Sequence, residues 1–229
     1  RRYMVNVFVA QPESASGAPV IEEINPVYGN LIGRIEHIAQ MGTMVTDFLL
    51  MKPGALHRAN GGTLLLDTRK LLQSPFAYEA LKRSLKAREI RIEQPAESML
   101  AMTTQSLDPE PVPLDVKVVL LGERELYYML AEADPDFEGL FKVQADFDDA
   151  IDRHNGNDIA YARVIASIVK QHGLAPVDTS GVARTIEEGA RMAGDREKLS
   201  IELGRISDLL READYWRKKS ARTTISRAD

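Results

Sequence analysis

A short apolar run ending in an acid is the first place where this chain could do chemistry. Leu64, Leu65 and Leu66 follow Gly61-Gly62-Thr63 and lead directly into Asp67. An apolar run of this length behind a glycine pair reads as a strand covered on both faces, as in a parallel sheet. A carboxylate at the C-terminal end of such a strand lies on the rim where α/β sheets bind ligands. In phosphate-processing folds that carboxylate holds Mg²⁺, directly or through water. The plainer alternative is that Asp67 only ends the strand or caps a helix.

Other candidates carry a plain reading beside the functional one. Met41 and Met44 flank Gly42 and are soft apolar groups suited to sequence-tolerant contacts, so 42–45 fits a loop that grips unfolded polypeptide. The same residues fit a hairpin turn equally well. His57 could line a site, but a loop histidine is more often solvated or packed. The acids Glu22-Glu23 and Asp146, Asp148, Asp149 read as solvated rather than metal-binding. Arg217-Lys218-Lys219 reads as a helix end whose dipole favours cations. Trp216, Tyr127 and Tyr128 read as core or interface fillers.

The elements that must position these residues follow from periodicity. Residues 3–10 (YMVNVFVA) read as a strand, and 20–23 as a second short one. Residues 31–40 read as a helix, 44–51 as a strand, 89–93 (EIRIE) as a strand, and 116–121 (VKVVLL) as another central strand. Ser74-Pro75 reads as a helix start, with serine as cap and proline in the first turn, and Ala77, Leu81 and Leu85 continue it. Glu79 and Arg83 are spaced as a supporting ion pair. Residues 140–147 could add one more strand. Strands separated by helical stretches imply a mostly parallel α/β sheet. Beyond about Asp152 no strand-like run remains, and three helical patterns follow. One ends at Gly173, one runs from a cap at Ser180 to Gly194, and one from a cap at Asp195 carries Leu199, Leu203, Ile206, Leu210 and Ala213. The expected division is an α/β core over 1–150 and a helical domain over 151–229.

Bulk properties narrow the class. The chain has 229 residues, 44% hydrophobic and 28% charged, which suits a folded core rather than wholesale disorder. Its net charge of −5 points away from nucleic acid and membrane surfaces. Absence of cysteine excludes disulfides and thiol chemistry and fits a cytoplasmic protein. No apolar run approaches the ~18 residues of a membrane span. The chain begins Arg1-Arg2-Tyr3, which reads as a piece of something longer.

The string Gly54-Ala55-Leu56-His57-Arg58-Ala59-Asn60-Gly61-Gly62 before LLLD resembles the Walker B region of Lon-type proteases of the archaeal and Lon-like bacterial branches. Further segments resemble the same group in the same order: Asn25-Pro26 through Glu36, Pro75-Phe76 through Arg83, Pro113 through Val118, Leu140-Phe141-Lys142-Val143 and Asp208 through Ala213. The resemblance covers nearly the whole chain. It implies part of an AAA+ parallel-sheet core followed by a small all-α lid, with ATP and Mg²⁺ as ligands and Asp67 as the Walker B position. It also implies unfolded polypeptide as substrate, a serine-type peptidase domain with a Ser-Lys dyad in the full-length chain, and a cytoplasmic homo-hexamer in protein quality control. No residue here is assigned to that dyad. No Gly-x-x-x-x-Gly-Lys-Ser/Thr phosphate loop occurs in the chain, and one would be expected upstream of Arg1.

Departures from the family pattern bear on activity. Relatives follow the Walker B aspartate with a glutamate that orients the attacking water; here Thr68 stands in that place. Gly122-Glu123 replaces the polar sensor at the end of the following strand. Lys142 stands where an arginine finger is expected, and its point charge lacks the planar fork. Neither Ser200 nor Glu202 supplies the lid sensor, which leaves Arg205 as the nearest cation. These gaps imply nucleotide that is weakly held or absent in this fragment. The alternative reading is a non-catalytic ring scaffold and gate of an ATP-independent Lon-like protease. A third is a stand-alone ATPase or chaperone akin to magnesium-chelatase or transcription-activator modules.

Overall fold

A computed structural model describes residues 4–10, 16–40, 43–93, 107–154 and 156–229. The chain packs as two compact units, 1–144 and 145–229.

In the first unit the order is β1 (Val20–Glu23), α1 (Tyr28–Leu31), β2 (Gly33–Ile35), β3 (Ile38–Gln40), β4 (Thr43–Val45), β5 (Met51–Pro53), α2 (Ala55–Arg58), β6 (Thr63–Asp67), α3 (Thr68–Gln73) and α4 (Ala77–Ala87). Then come β7 (Glu89–Ile90), β8 (Val112–Pro113), β9 (Lys117–Leu121), α5 (Arg124–Ala133) and α6 (Phe137–Leu140). The sheet that positions the candidate site is parallel, in the order β1-β6-β9. The leucine run is therefore its central strand. Parallel neighbours need a long crossover, and α3 and α4 supply it between β6 and β9.

One face of the sheet makes the core. Leu64 and Leu66 are fully buried there, beside Leu31, Leu56, Leu71 and Leu81. Burying each such side chain contributes about 2–3 kcal/mol. Helix α4 meets this core with Ala77, Ala80, Leu81 and Ser84, a helical stripe. Gly62 is required by close approach, because a Cβ there would lie 2.0 Å from the Pro19 carbonyl oxygen.

The second unit holds β10 (Ala150–Asp152), α7 (Asn157–Gln171), α8 (Thr179–Ala193), β11 (Lys198–Ser200) and α9 (Leu203–Lys219). Ile165, Ile186, Leu199, Ile206 and Leu210 form its core. Tyr161 donates its hydroxyl hydrogen to the Ser200 carbonyl at 2.8 Å, tying α7 to β11.

Several expectations are corrected. Residues 4–10 run without strand pairing, turn or bend. The expected helix over 31–40 is α1 followed by β2 and β3, because Gly33 turns to φ 112° and breaks the chain out of the helix. The single strand over 44–51 is β4, a 3₁₀ turn Phe48–Leu50 and β5. Residues 141–148 form no strand. Helix α4 starts at Ala77 behind Phe76 in the left-handed region (φ 64°), without a serine cap. Glu79 pairs with Lys82 rather than Arg83, and Arg83 reaches Glu93. Asp178, not Ser180, caps α8 by accepting the Gly181 N–H at 2.9 Å. The second unit is mainly helical, and within it β10 and β11 pair antiparallel, with β11 occupying the start of the third helical pattern. Trp216 and Tyr128 are exposed, so of the two readings given for them, core or interface, the core one does not hold.

Candidate functional site

Asp67 ends the central strand opposite Leu121, the last residue of β9, and so lies on the carboxyl rim of the sheet. Its Oδ1 accepts the Lys70 N–H at 2.9 Å and caps α3. Capping uses one carboxylate oxygen, and Oδ2 remains for a ligand. One carboxylate is what a Mg²⁺–nucleotide site draws from such a strand, since phosphates and water complete the shell. Among the described residues no group of three or more histidines and acids forms a ready metal cluster.

Thr68 is buried. It packs beneath Gly122, where a Cβ would stand 3.1 Å from both its Cβ and its Oγ1. Its hydroxyl thus faces the end of β9 rather than an open cleft. Glu123 sits on the same rim, and its carboxylate accepts a hydrogen bond from the Arg69 guanidinium in an exposed ion pair. Lys70 donates through Nζ to the Ile24 carbonyl at 3.2 Å. Asp67, Thr68 and Glu123 are therefore brought together.

Lys142 is not with them. It lines a cleft of about 570 Å³ together with Gly61, Gly62, Asp115, Lys117 and Gly139. Thr63 and Lys117 begin the paired strands, which puts this cleft on the amino rim of the sheet. Arg205 belongs to the second unit, in the first turn of α9, and pairs with Glu202 at 3.2 Å. Met44 is exposed on β4 opposite Ala39, in the hairpin formed by β3 and β4. Met41 and Gly42 lie outside the described residues.

His57 is buried, and the Gly54 N–H points to its Nδ1 at 3.4 Å. The Phe8 ring meets it edge-on at 4.8 Å. Burial pushes the imidazole down to about 4, against the opposing effect of a hydrogen bond with the Ile32 backbone. It is a packed neutral ring that holds α2 in front of the glycine pair.

A buried ionic network was invisible in the sequence. Lys82 reaches Asp134 at 3.0 Å, and the Tyr78 hydroxyl donates to the same carboxylate. Burial pushes Asp134 up, but hydrogen bonds from Tyr78, the Asp136 N–H and Lys82 hold it below the usual carboxylate range. The network clamps α4 to the α5–α6 connection, and α6 leads into the cleft at Lys142. Tyr78 and Asp134 are 56 residues apart, so no local pattern announces their pairing. Among the described residues no helix is long and apolar enough to cross a membrane.

The sequence matches the LonB-like AAA domain over residues 16–148 and the archaeal LonB AAA+ ATPase lid domain over residues 176–229. An archaeal Lon protease of Thermoplasma acidophilum is 24% identical over 231 residues, covering 100% of this chain and 35% of the relative. A Lon protease homolog of Escherichia coli (strain K12) is 26% identical over 155 residues, covering 67% of this chain and 25% of the relative. The chain thus spans about a quarter to a third of the length of these relatives. Among solved structures, NtrX from Brucella abortus in complex with ATP superposes with a TM-score of 0.55 at 15% identity, covering 92% of this chain and 42% of that one. That likeness concerns the fold.

Proposed function

Because the chain belongs to the LonB-like AAA family, we propose that it is the substrate-handling, nucleotide-facing module of a Lon-type serine protease. The full-length protein would carry the peptidase domain, assemble as a hexameric ring in the cytoplasm and thread unfolded polypeptide. The observation that carries this reading is the placement of Asp67. It ends the central strand of a parallel sheet, on the carboxyl rim, with one carboxylate oxygen free of its helix cap. In this role Asp67 would hold Mg²⁺, directly or through water, and the ion would supply neutralisation of phosphate charge. The exposed Met44 on the β3–β4 hairpin, with Met41 and Gly42, serves as the polypeptide-contacting loop. Glu123, Lys142 and Arg205 stand in for the sensor and finger positions.

Hydrolysis is weak in this proposal. A water attacking a γ-phosphate needs a base or an orienting carboxylate. The burial of Thr68 under Gly122 supports a rim that lacks one. The same observation favours a second reading, a non-catalytic ring scaffold and gate that admits substrate without ATP. Calorimetric titration of the full-length protein with Mg²⁺-ATP, beside a phosphate-release assay, separates the two. Weak binding that Asp67→Asn abolishes, with little turnover, supports the first reading. No binding leaves the gate. Robust turnover overturns the degenerate-motif proposal.

A further inference from the structure

The two cations that follow Asp67-Thr68 differ in what they touch. Arg69 gives its guanidinium to Glu123, and the two charges cancel. Lys70 has no acid of its own. Its Nζ donates to the Ile24 carbonyl at 3.2 Å, and among the described residues it forms no ion pair with a carboxylate. An ammonium carries three donors, and a carbonyl occupies one of them without cancelling the charge. Both Lys70 and Ile24 are exposed, so packing does not cover this corner of the rim.

Register gives the place of that charge. Glu23 pairs with Leu66, so Ile24 is the first residue beyond β1 and stands level with Asp67. On the other side Asp67 pairs with Leu121, and Gly122-Glu123 follow. Asp67 therefore has an ammonium on its β1 side and a neutralised ion pair on its β9 side. The Lys70 N–H also holds Asp67 Oδ1 at 2.9 Å. One residue is thus tied to the aspartate through its backbone and to the end of the neighbouring strand through its side chain.

Charge decides what this arrangement can take. A phosphate brought to the free Oδ2 of Asp67 meets like charge, and its approach needs a cation at hand. Mg²⁺ supplies one when bound. Lys70 supplies another that is always in place. A lysine suits phosphate as a compact point charge with rotatable donors, and two of its three remain open.

We propose that Lys70 is the phosphate-contacting cation of the carboxyl rim and sets the affinity of this site for nucleoside polyphosphates. This inference rests on the nucleotide-facing reading given above and assigns it a further residue. The tether to Ile24 suits the role, because an ammonium already held at the rim loses less freedom when a ligand arrives.

The test uses the full-length protein and a fluorescent N-methylanthraniloyl ATP with Mg²⁺, with inorganic tripolyphosphate as competitor. Lys70→Met should bind the nucleotide at least about tenfold more weakly and lose tripolyphosphate by the same factor. Lys70→Arg keeps the charge and should stay within about threefold of the parent. Raising the salt should narrow the gap between parent and Lys70→Met, as for any screened charge contact. Equal losses in the Met and Arg variants, with no difference in salt response, would make Lys70 a tether of β1 to α3 and overturn the charge role. Undiminished binding by Lys70→Met, with Asp67→Asn still abolishing it, overturns the proposal and leaves the nucleotide reading standing. Failure of the parent itself to bind overturns that reading and this inference with it.

Discussion

The two rims of the β1-β6-β9 sheet differ in how they use their charges. On the carboxyl rim the charges of Asp67, Arg69, Lys70 and Glu123 have partners within the molecule, Asp67 through one of its two oxygens. Asp67 caps α3, Arg69 pairs with Glu123, and Lys70 reaches the Ile24 carbonyl. On the amino rim Lys117 and Lys142 border an open cleft whose acid is Asp115. The rim that carries the family motif is closed on itself, and the open cationic cleft lies at the other end of the same strands. Lys142 therefore cannot serve a ligand held at Asp67 of the same sheet. If it acts as a finger, it acts on another copy.

The largest way to break the contrast is through the support of the amino rim. Asp134→Ala removes the acceptor of Tyr78 and the one buried carboxylate that Lys82 reaches, leaving its ammonium to Glu79 and, at 3.9 Å, to Asp136. The expected loss is about 3 kcal/mol in urea unfolding. Hydrogen exchange should speed up first in α6 at the cleft, while β6 keeps its protection until global unfolding. Equal loosening of both rims would show that they are not independently supported.

Next in size is the pH response of His57, which stands in front of Gly61-Gly62. Burial lowers its folded value from 6.5 to about 4. The unfolded chain takes up a proton as pH falls below 6.5 and the folded chain resists until about pH 4. The stabilisation is thus complete above pH 6.5 and is lost across that window, by about 3 kcal/mol. Urea midpoints for the protein and for His57→Gln should converge as pH drops from 7 to 4. Parallel curves would remove His57 from the account of acid sensitivity.

How much of this contrast could be read from the sequence depends on range. The leucine run and its terminal acid are local and were enough to place Asp67 at the end of a parallel strand, but not covered on both faces as expected: Leu64 and Leu66 are buried and Leu65 only half-buried. Leu31, Ile32, Ile35 and Ile38 misled because their spacing matches a helix stripe, whereas the positive φ at Gly33 ends the helix. The valines of 3–10 read as a strand by composition, but the groups that anchor the segment, the Phe48 carbonyl and the His57 ring, lie far along the chain. The burial of Thr68 depends on Gly122, and the rim on which Lys142 lies depends on topology. Neither has a signature within a turn or two of sequence. The β10–β11 pair escaped notice because three-residue strands carry almost no periodicity.

A glycine on each rim sharpens the comparison at about 1 kcal/mol. Gly122→Ala introduces a Cβ 3.1 Å from two atoms of buried Thr68, where little can yield. It should cost about 1–2 kcal/mol. Gly139→Ala, in α6 beside the open cleft, meets no atom within 4 Å. There the change should stabilise by about 0.5–1 kcal/mol through helix propensity and the unfolded chain. Opposite signs in thermal unfolding are the expected result. A harmless Gly122→Ala would mean that Thr68 is free to move, and the packed carboxyl rim would lose its main support.

The smallest effect is the most discriminating for function. The Arg69–Glu123 pair is exposed on both sides, so Arg69→Ala should change stability by no more than about 0.5 kcal/mol, less at high salt. Its consequence should lie in binding instead. Freed from Arg69, Glu123 adds an uncompensated negative charge beside Asp67, which repels a polyphosphate and attracts a cation. Arg69→Ala is expected to weaken Mg²⁺-ATP binding by calorimetry at low salt, and Arg69→Ala with Glu123→Ala to restore it. A single variant that binds as well as the parent would mean that nucleotide does not approach this rim. The closed charge pattern there would then be structural, and the gate reading would stand in place of the nucleotide one.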